Sequence, residues 1–253
     1  MSKVTIVFAH HRNELTPLFN LCLRSLENQD VDKEVIVMDS RPTKTPFPDW
    51  VKHVEIDHST IAPVAYNQAF KMASPNSTHF MICNDDLIFA KGALAELMDS
   101  IRGYHLIMNA FSNCDIGYYY FTNVILKNKE GFELKMRNQM EFRECLGFEE
   151  ELMNYPLQKR IIIPTPYVCF YATLIPRAIW ETLGGLEERY VSGPDDRDFC
   201  LSAQKIGVKS MINLAPTIWH FSGRTMALKD PETVAKNRAH NNEIFKSKWG
   251  YYP

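Results

Sequence analysis

The sequence has no run of 18 apolar residues, so it offers no candidate membrane span. Its six cysteines, at 22, 83, 114, 145, 169 and 200, stand singly among mostly apolar neighbours, and no CxxC pair occurs. Neither a zinc site nor a disulfide framework is indicated, and reduced, buried thiols are expected. An excess of one charge is missing too. Lys and Arg number 28 against 30 Asp and Glu, and a net charge of −2 gives bulk electrostatics no reason to favour nucleic acid or an anionic membrane. No glycine-rich dinucleotide fingerprint follows the first apolar run, and no Walker-type phosphate loop occurs. Repeats, low-complexity tracts and convincing linkers are absent. The opening stretch MSKVTIVFAHHRNE has too short an apolar run for a signal peptide, so a cytoplasmic protein is expected.

What is present is an ordinary globular composition, 45% hydrophobic and 23% charged over 253 residues. Strand-like runs KVTIVFA (3–9), EVIVMD (34–39), HVEID (53–57) and THFMIC (78–83) alternate with helical spacing at 15–26, 62–73 and 94–101. Ser59 and Thr60 are placed to cap the second of these helices. Buried strands alternating with helices predict an α/β fold with a mostly parallel sheet covered on both faces. Further strands are read at 105–111, 118–126, 160–164, 167–175, 209–215 and 217–221, with a helical insertion over 127–160 and a helix from Pro194. The last 31 residues carry six Lys or Arg against three acids. A lid over 221–240 is expected there, where Gly223, Pro231 and exposed charges leave few apolar anchors.

Two acidic clusters and one histidine carry the chemistry. Asn84-Asp85-Asp86 interrupts apolar sequence at the end of a strand, where open α/β sheets bind ligands. Carboxylates there can hold Mg²⁺ or Mn²⁺, which can neutralise a diphosphate without a glycine-rich cradle. Capping of the next segment is the competing reading, since Asn and Asp favour turns. Asp195, Asp196 and Asp198 fill the first turn of the later helix, more acid than the helix dipole requires. His220 ends a strand just before Ser-Gly-Arg-Thr; it reads as a structural histidine or as part of an anion or metal site.

In this order the motifs resemble a GT-A-fold glycosyltransferase of the family 2 type. The segments that carry the resemblance are CLRSLENQ (22–29), EVIVMDS (34–40), APVAYNQAF (62–70), ICNDDL (82–87), LGGLEERY (183–190), DDRDF (195–199), HFSGRT (220–225) and FKSKWG (245–250). The resemblance implies a single domain, with a sheet of GT-A type, a small acceptor-side sheet and a helical insertion. Residues 1–110 would form the nucleotide-sugar half, 111–222 the acceptor and catalytic half, and 223–253 a basic lid and tail. It places Asp39 at the nucleobase and puts Ala9, His11, Arg12, Asn67, Asn84, Asp85 and Arg224 around the rest of the donor. Asp86 and His220 would hold the divalent cation, and Asp196 would be the base. Asp195, Trp180 and Tyr171 would meet the acceptor. Asn84 stands where the family has an aspartate, Asp195 where Glu is more common, and Leu186-Glu187 where an aromatic-Asp pair is usual.

The implied reaction is attack of an acceptor hydroxyl on the anomeric carbon of a nucleotide-diphosphate sugar, UDP-linked by expectation, with inversion. Three rival readings stand beside it. A nucleotidylyltransferase would need a glycine-rich loop and a Lys after the first strand, which FAHHRNE lacks. A non-catalytic binding protein would not need three acids at 195–198. A glycosyltransferase acting on modified nucleic acid is motivated by the basic tail.

Overall fold

The computed structural model describes residues 3–104, 106–112, 149–221 and 230–253. Strands β1 (Lys3–His10), β2 (Lys33–Asp39), β3 (Val51–Glu55) and β4 (Ser77–Cys83) lie in the order β3-β2-β1-β4, all parallel. Parallel strands buried on both faces need the near-continuous apolar character that β1, β2 and β4 have. The sheet continues as β8-β6-β9-β5 through β8 (Ala172–Pro176), β6 (Leu106–Ser112), β9 (Lys209–His220) and β5 (Leu87–Phe89). β7 (Ile162–Thr165) pairs with β9 off that path. β8 runs antiparallel to both β4 and β6, so it joins a parallel wing to a mixed one.

The period-2 alternation along β1 sends its side chains into two cores. Val4, Ile6 and Phe8 pack with Phe19, Leu23 and Leu26 of α1 (Thr16–Glu27) and with Leu94 and Leu97 of α3 (Ala93–Ser100). Val7 faces the other way, into a core with Ala65, Ala69 and Phe70 of α2 (Ala62–Lys71). Ile179 of α5 (Arg177–Leu183) and Phe199 of α6 (Asp195–Lys205) close that second core. The short α4 (Glu149–Met153) and the long α7 (Pro231–Trp249) complete the helices among the described residues.

Four local expectations change. The two strands read at 209–215 and 217–221 are one strand, β9, whose pairing with β6 shifts register between Ala110 and Phe111. Pro216 sits at that shift, where its missing N–H breaks no ladder bond. Residues 167–169 are irregular and 170–171 form a turn, with Asn109 Nδ2 donating to Cys169 O, and the strand starts only at Ala172. Ser59 and Thr60 do not cap α2. Ser59 Oγ and N–H both bond Asp57 Oδ1, a charged acceptor nearer at hand, and α2 begins after Ile61 with Pro63 in its first turn. Residues 231–240 of the expected lid form the first half of α7, where Asp230 caps Thr233 N–H and Pro231 opens the first turn. Its apolar anchors, Ile244 and Phe245, come later in the helix. Residues 222–229, and the strand and most of the insertion read between 113 and 148, lie outside the described residues.

Candidate active site

The carboxyl ends of β1, β2 and β4 open onto a cavity of about 380 Å³. β1 lies between β2 and β4, so connections leave to opposite sides here, the switch point where open α/β sheets bind ligands. Ala9 lies at the end of β1 and His11 just after it, Ser40 follows β2, and Asn84, Asp85 and Asp86 follow β4; all line the cavity with His58, Tyr66, Val191 and Ser192. His11 and His58 stack at 4.3 Å and 7°, and both are tied to Ser40, His11 through its Oγ and His58 through its backbone oxygen.

No helix follows Asn84-Asp85-Asp86, so the triplet is not a helix cap; β5 starts at Leu87 instead. Each aspartate meets a different imidazole. Asp85 Oδ2 is 2.6 Å from His10 Nδ1, and His10 is fully buried beneath the cavity. Burial pushes the Asp85 carboxyl up, against the pull of His10. His10 Nε2 meets Thr16 Oγ1 at 3.3 Å, and that oxygen accepts from Arg41 Nη1. With its lone pair so engaged, the Thr16 hydroxyl can donate to Nε2, leaving the ring proton on Nδ1 facing Asp85. Asp86 Oδ1 lies 3.3 Å from His220 Nε2, a nitrogen that also meets Asn84 Nδ2 at 3.2 Å. With the Asn84 amide nitrogen facing it, Nε2 can accept, which leaves its lone pair turned toward Asp86 Oδ1. A buried carboxylate oxygen and a lone-pair nitrogen repel unless a cation or proton lies between them, and Asp86 Oδ1 has no hydrogen bond of its own. A carboxylate oxygen without a hydrogen bond suits Mn²⁺ or Mg²⁺, so Asp86 fits the implied cation, with His220 beside it. Among the described residues no three His, Cys, Asp or Glu side chains converge on one point, so phosphate oxygens and water would supply the remaining ligands.

The second acidic cluster opens α6. Asp198 is buried and fully engaged: Lys248 Nζ at 2.7 Å, Trp249 Nε1 at 2.6 Å and Tyr190 Oη at 3.3 Å. Among the described residues Asp195 and Asp196 have no such cation. Burial first, then the charge of Asp196, pushes the Asp195 carboxyl up to about 7. Burial also raises Asp196, opposed by the Arg197 N–H that donates to its Oδ1 at 2.6 Å. The Arg197 guanidinium turns elsewhere, over the rings of Tyr167 and Phe245. The Tyr66 phenol is raised by burial, and the charges of Asp85 and Asp195 add to that, which ties the α6 turn to the cavity wall.

Against solved structures the chain matches a mannosyltransferase of Pyrobaculum calidifontis in complex with GDP-Man and Mn²⁺, at 16% identity and a TM-score of 0.61. It also matches GalNAc-T7 with UDP, GalNAc and Mn²⁺ (11%, 0.59) and S. aureus TarS 1-349 with UDP-GlcNAc (14%, 0.57). The matches cover 99%, 99% and 97% of this chain. The fold is GT-A. This chain spans 65%, 56% and 67% of those three chains. No family model and no curated protein matches it.

On this GT-A frame several expected site residues take other places. Asp39 is wholly buried, its oxygens taken by Arg41 Nε, Nη2 and backbone N–H and by His53. Burial alone would raise it, but these bonds outweigh that and hold it at about 2. It offers nothing to a nucleobase; it fixes Arg41. Asn67 also leaves the cavity, clamping Leu186 N–H and O and reaching Glu188. Gly185 must be glycine there: at φ 89° a Cβ would collide with Asn67 Oδ1. Trp180 packs in the core with Phe70, Phe80 and Phe199, so it presents no face to an acceptor. Tyr171 stacks on His220 at 4.7 Å and donates to Ala110 O, and it does not line the cavity. Arg12 is not among the cavity residues, and its buried Nε has no hydrogen bond. Arg224 lies outside the described residues. In sequence His10 stands with His11 and Arg12 in the donor-side stretch FAHHRNE, as donor contacts or as solvated loop residues, and nothing singles out His58. Alternation along β1 would have shown His10 buried, two residues after inward-facing Phe8.

Proposed function

We propose that this protein is a metal-assisted, inverting glycosyltransferase that moves a sugar from a UDP-linked donor to a glycan hydroxyl. The observation that supports this reading is that Asp86, beside His220, lines a cavity whose Tyr66 wall also feels Asp195, the neighbour of Asp196, and that neither Asp195 nor Asp196 has a cation partner among the described residues. Asp86 and His220, with Asn84 beside them, would hold Mn²⁺ or Mg²⁺ against the diphosphate. When bound, the cation offsets charge that builds on the departing phosphate. The nucleoside would lie over Ala9, His11 and Ser40, and Asp85, held by His10, would meet the sugar or ribose. Asp196 would take the acceptor proton, since a carboxyl raised by burial is a better proton acceptor at neutral pH than a free one. Asp195 would orient the acceptor. The basic tail lends a nucleic acid acceptor little support: Lys236 pairs with Glu232, Lys246 with Tyr252 and Lys248 with Asp198.

Calorimetry with UDP and GDP, with Mn²⁺ or with EDTA, tests the reading. Tight binding is expected only with Mn²⁺ or Mg²⁺, UDP ahead of GDP, and is lost in Asp86→Ala. Binding that persists unchanged in EDTA or in Asp86→Ala would sink the metal role; transfer of sugar to water or glycan by no donor in a panel would sink the enzyme.

A further inference from the structure

Asn241, Ile244, Phe245 and Lys248 recur at i, i+3, i+4 and i+7, one face of α7. That face grips the α6 turn on both sides. On the near side Asn241 is buried, with Oδ1 accepting from Val191 N–H at 2.9 Å. Its Nδ2 donates to the carbonyls of Val191 (3.1 Å), Ser192 (3.4 Å) and Gly193. His240 Nε2 adds a bond to Arg189 O at 3.1 Å. Between the two grips, Tyr190 packs on Ile244 and Phe245. On the far side Lys248 and Trp249 hold Asp198. The turn so held is not one the chain favours. Ser192 has φ 72°, left-handed, a conformation that a Cβ disfavours outside glycine. Val191 and Ser192 line the cavity, and Asp195 and Asp196 follow directly.

We propose that Asn241 is a positioning residue, through which α7 holds the 191–193 turn in its left-handed form and thereby aims Asp195 and Asp196 at the cavity. The proposal deepens the glycosyltransferase reading and rests on it for its kinetic consequence. Small misplacement of a reacting group costs rate more than binding. Asn241→Ala, assayed well below its own Tm, should therefore lose at least ~10-fold in kcat with donor KM within about threefold. Hydrogen exchange should rise in the peptide spanning 189–198 and not in β1 or β2. Adding Ser192→Gly should recover part of the kcat, because glycine adopts positive φ without the clasp. Should Asn241→Ala fail to fold, Asn241→Asp gives the same readout: it keeps the bond from Val191 N–H and loses the amide donors. Wild-type kcat with unchanged exchange at 189–198 would overturn the proposal, as would a loss that Ser192→Gly does not relieve. If the wild-type protein transfers no sugar, the function reading fails while the exchange experiment still decides the clasp.

Discussion

The acids that end β4 and those that open α6 differ in their company. Asp85 and Asp86 each face an imidazole, at 2.6 and 3.3 Å. Among the described residues Asp198 alone of the α6 acids has a cation partner; Asp195 feels the charge of Asp196, and Asp196 is held by neutral hydrogen bonds from Arg197, Cys169 and Phe170. Buried charge is tolerated where something pairs with it, and where nothing does the group holds its proton more tightly. Burial raises Asp85, Asp195 and Asp196 alike; what differs is that an imidazole opposes the rise at Asp85, whereas a neighbouring carboxylate adds to it at Asp195. Asp39 is the limiting case of pairing, so fully bonded that it has become scaffold.

The hardest test of this contrast is Asp39→Asn. It leaves the Arg41 guanidinium buried without its carboxylate, and breaking one side of such a pair costs ~3–5 kcal/mol. Urea unfolding should show that loss. A change under about 1 kcal/mol would mean that pairing here is incidental, since an exposed pair is worth no more than that. Next in size is Asp196→Asn, which keeps shape and removes the base. It should lower kcat by at least ~10²-fold with donor binding nearly intact. Asp198→Asn, which weakens the bonds to Lys248 and Trp249, should reduce Tm while sparing most of kcat. If Asp198→Asn is the variant that stops turnover, paired and unpaired acids have been assigned the wrong way round.

How much of this was legible in the sequence follows from where each force acts. The parallel wing was readable because burial on both faces writes long apolar runs, and its ends could be read from where those runs stop at Asp39 and Asn84. The helix opening with Asp195 was equally local. What escaped were side chains whose fate depends on a distant partner. Asp39 was read at a nucleobase because Arg41, only two residues on, gives no hint that it folds back into the core. Its second partner, His53, arrives on another strand. Trp180 and Tyr171 look like sugar platforms in sequence, and only packing shows that one closes a core and the other backs His220. The lid was read from charges, while Asn241, Ile244 and Phe245 already carried a helical spacing that argued for docking.

The smallest predicted effect probes the unpaired acids by pH. Asp195 has an ordinary value of 3.8 and stands at about 7 in the fold. Between those values the folded chain keeps a proton that the unfolded chain has released. The stability this confers is fully present below about 3.8 and is lost as pH rises through about 7. Asp39 works in the opposite sense: its contribution is present above 3.8 and is lost as pH falls through about 2. Catalysis needs the ionised form of the proposed base, and burial raises Asp196, so the acid limb of kcat should lie above the ordinary carboxylate range. Asp195→Asn should leave that limb largely in place with most of the plateau rate kept, because burial rather than Asp195 raises Asp196. The same variant should flatten the loss of stability between pH 4 and 7. A limb that stays in place, with the plateau gone, would make Asp195 the base and leave Asp196 to orient the acceptor.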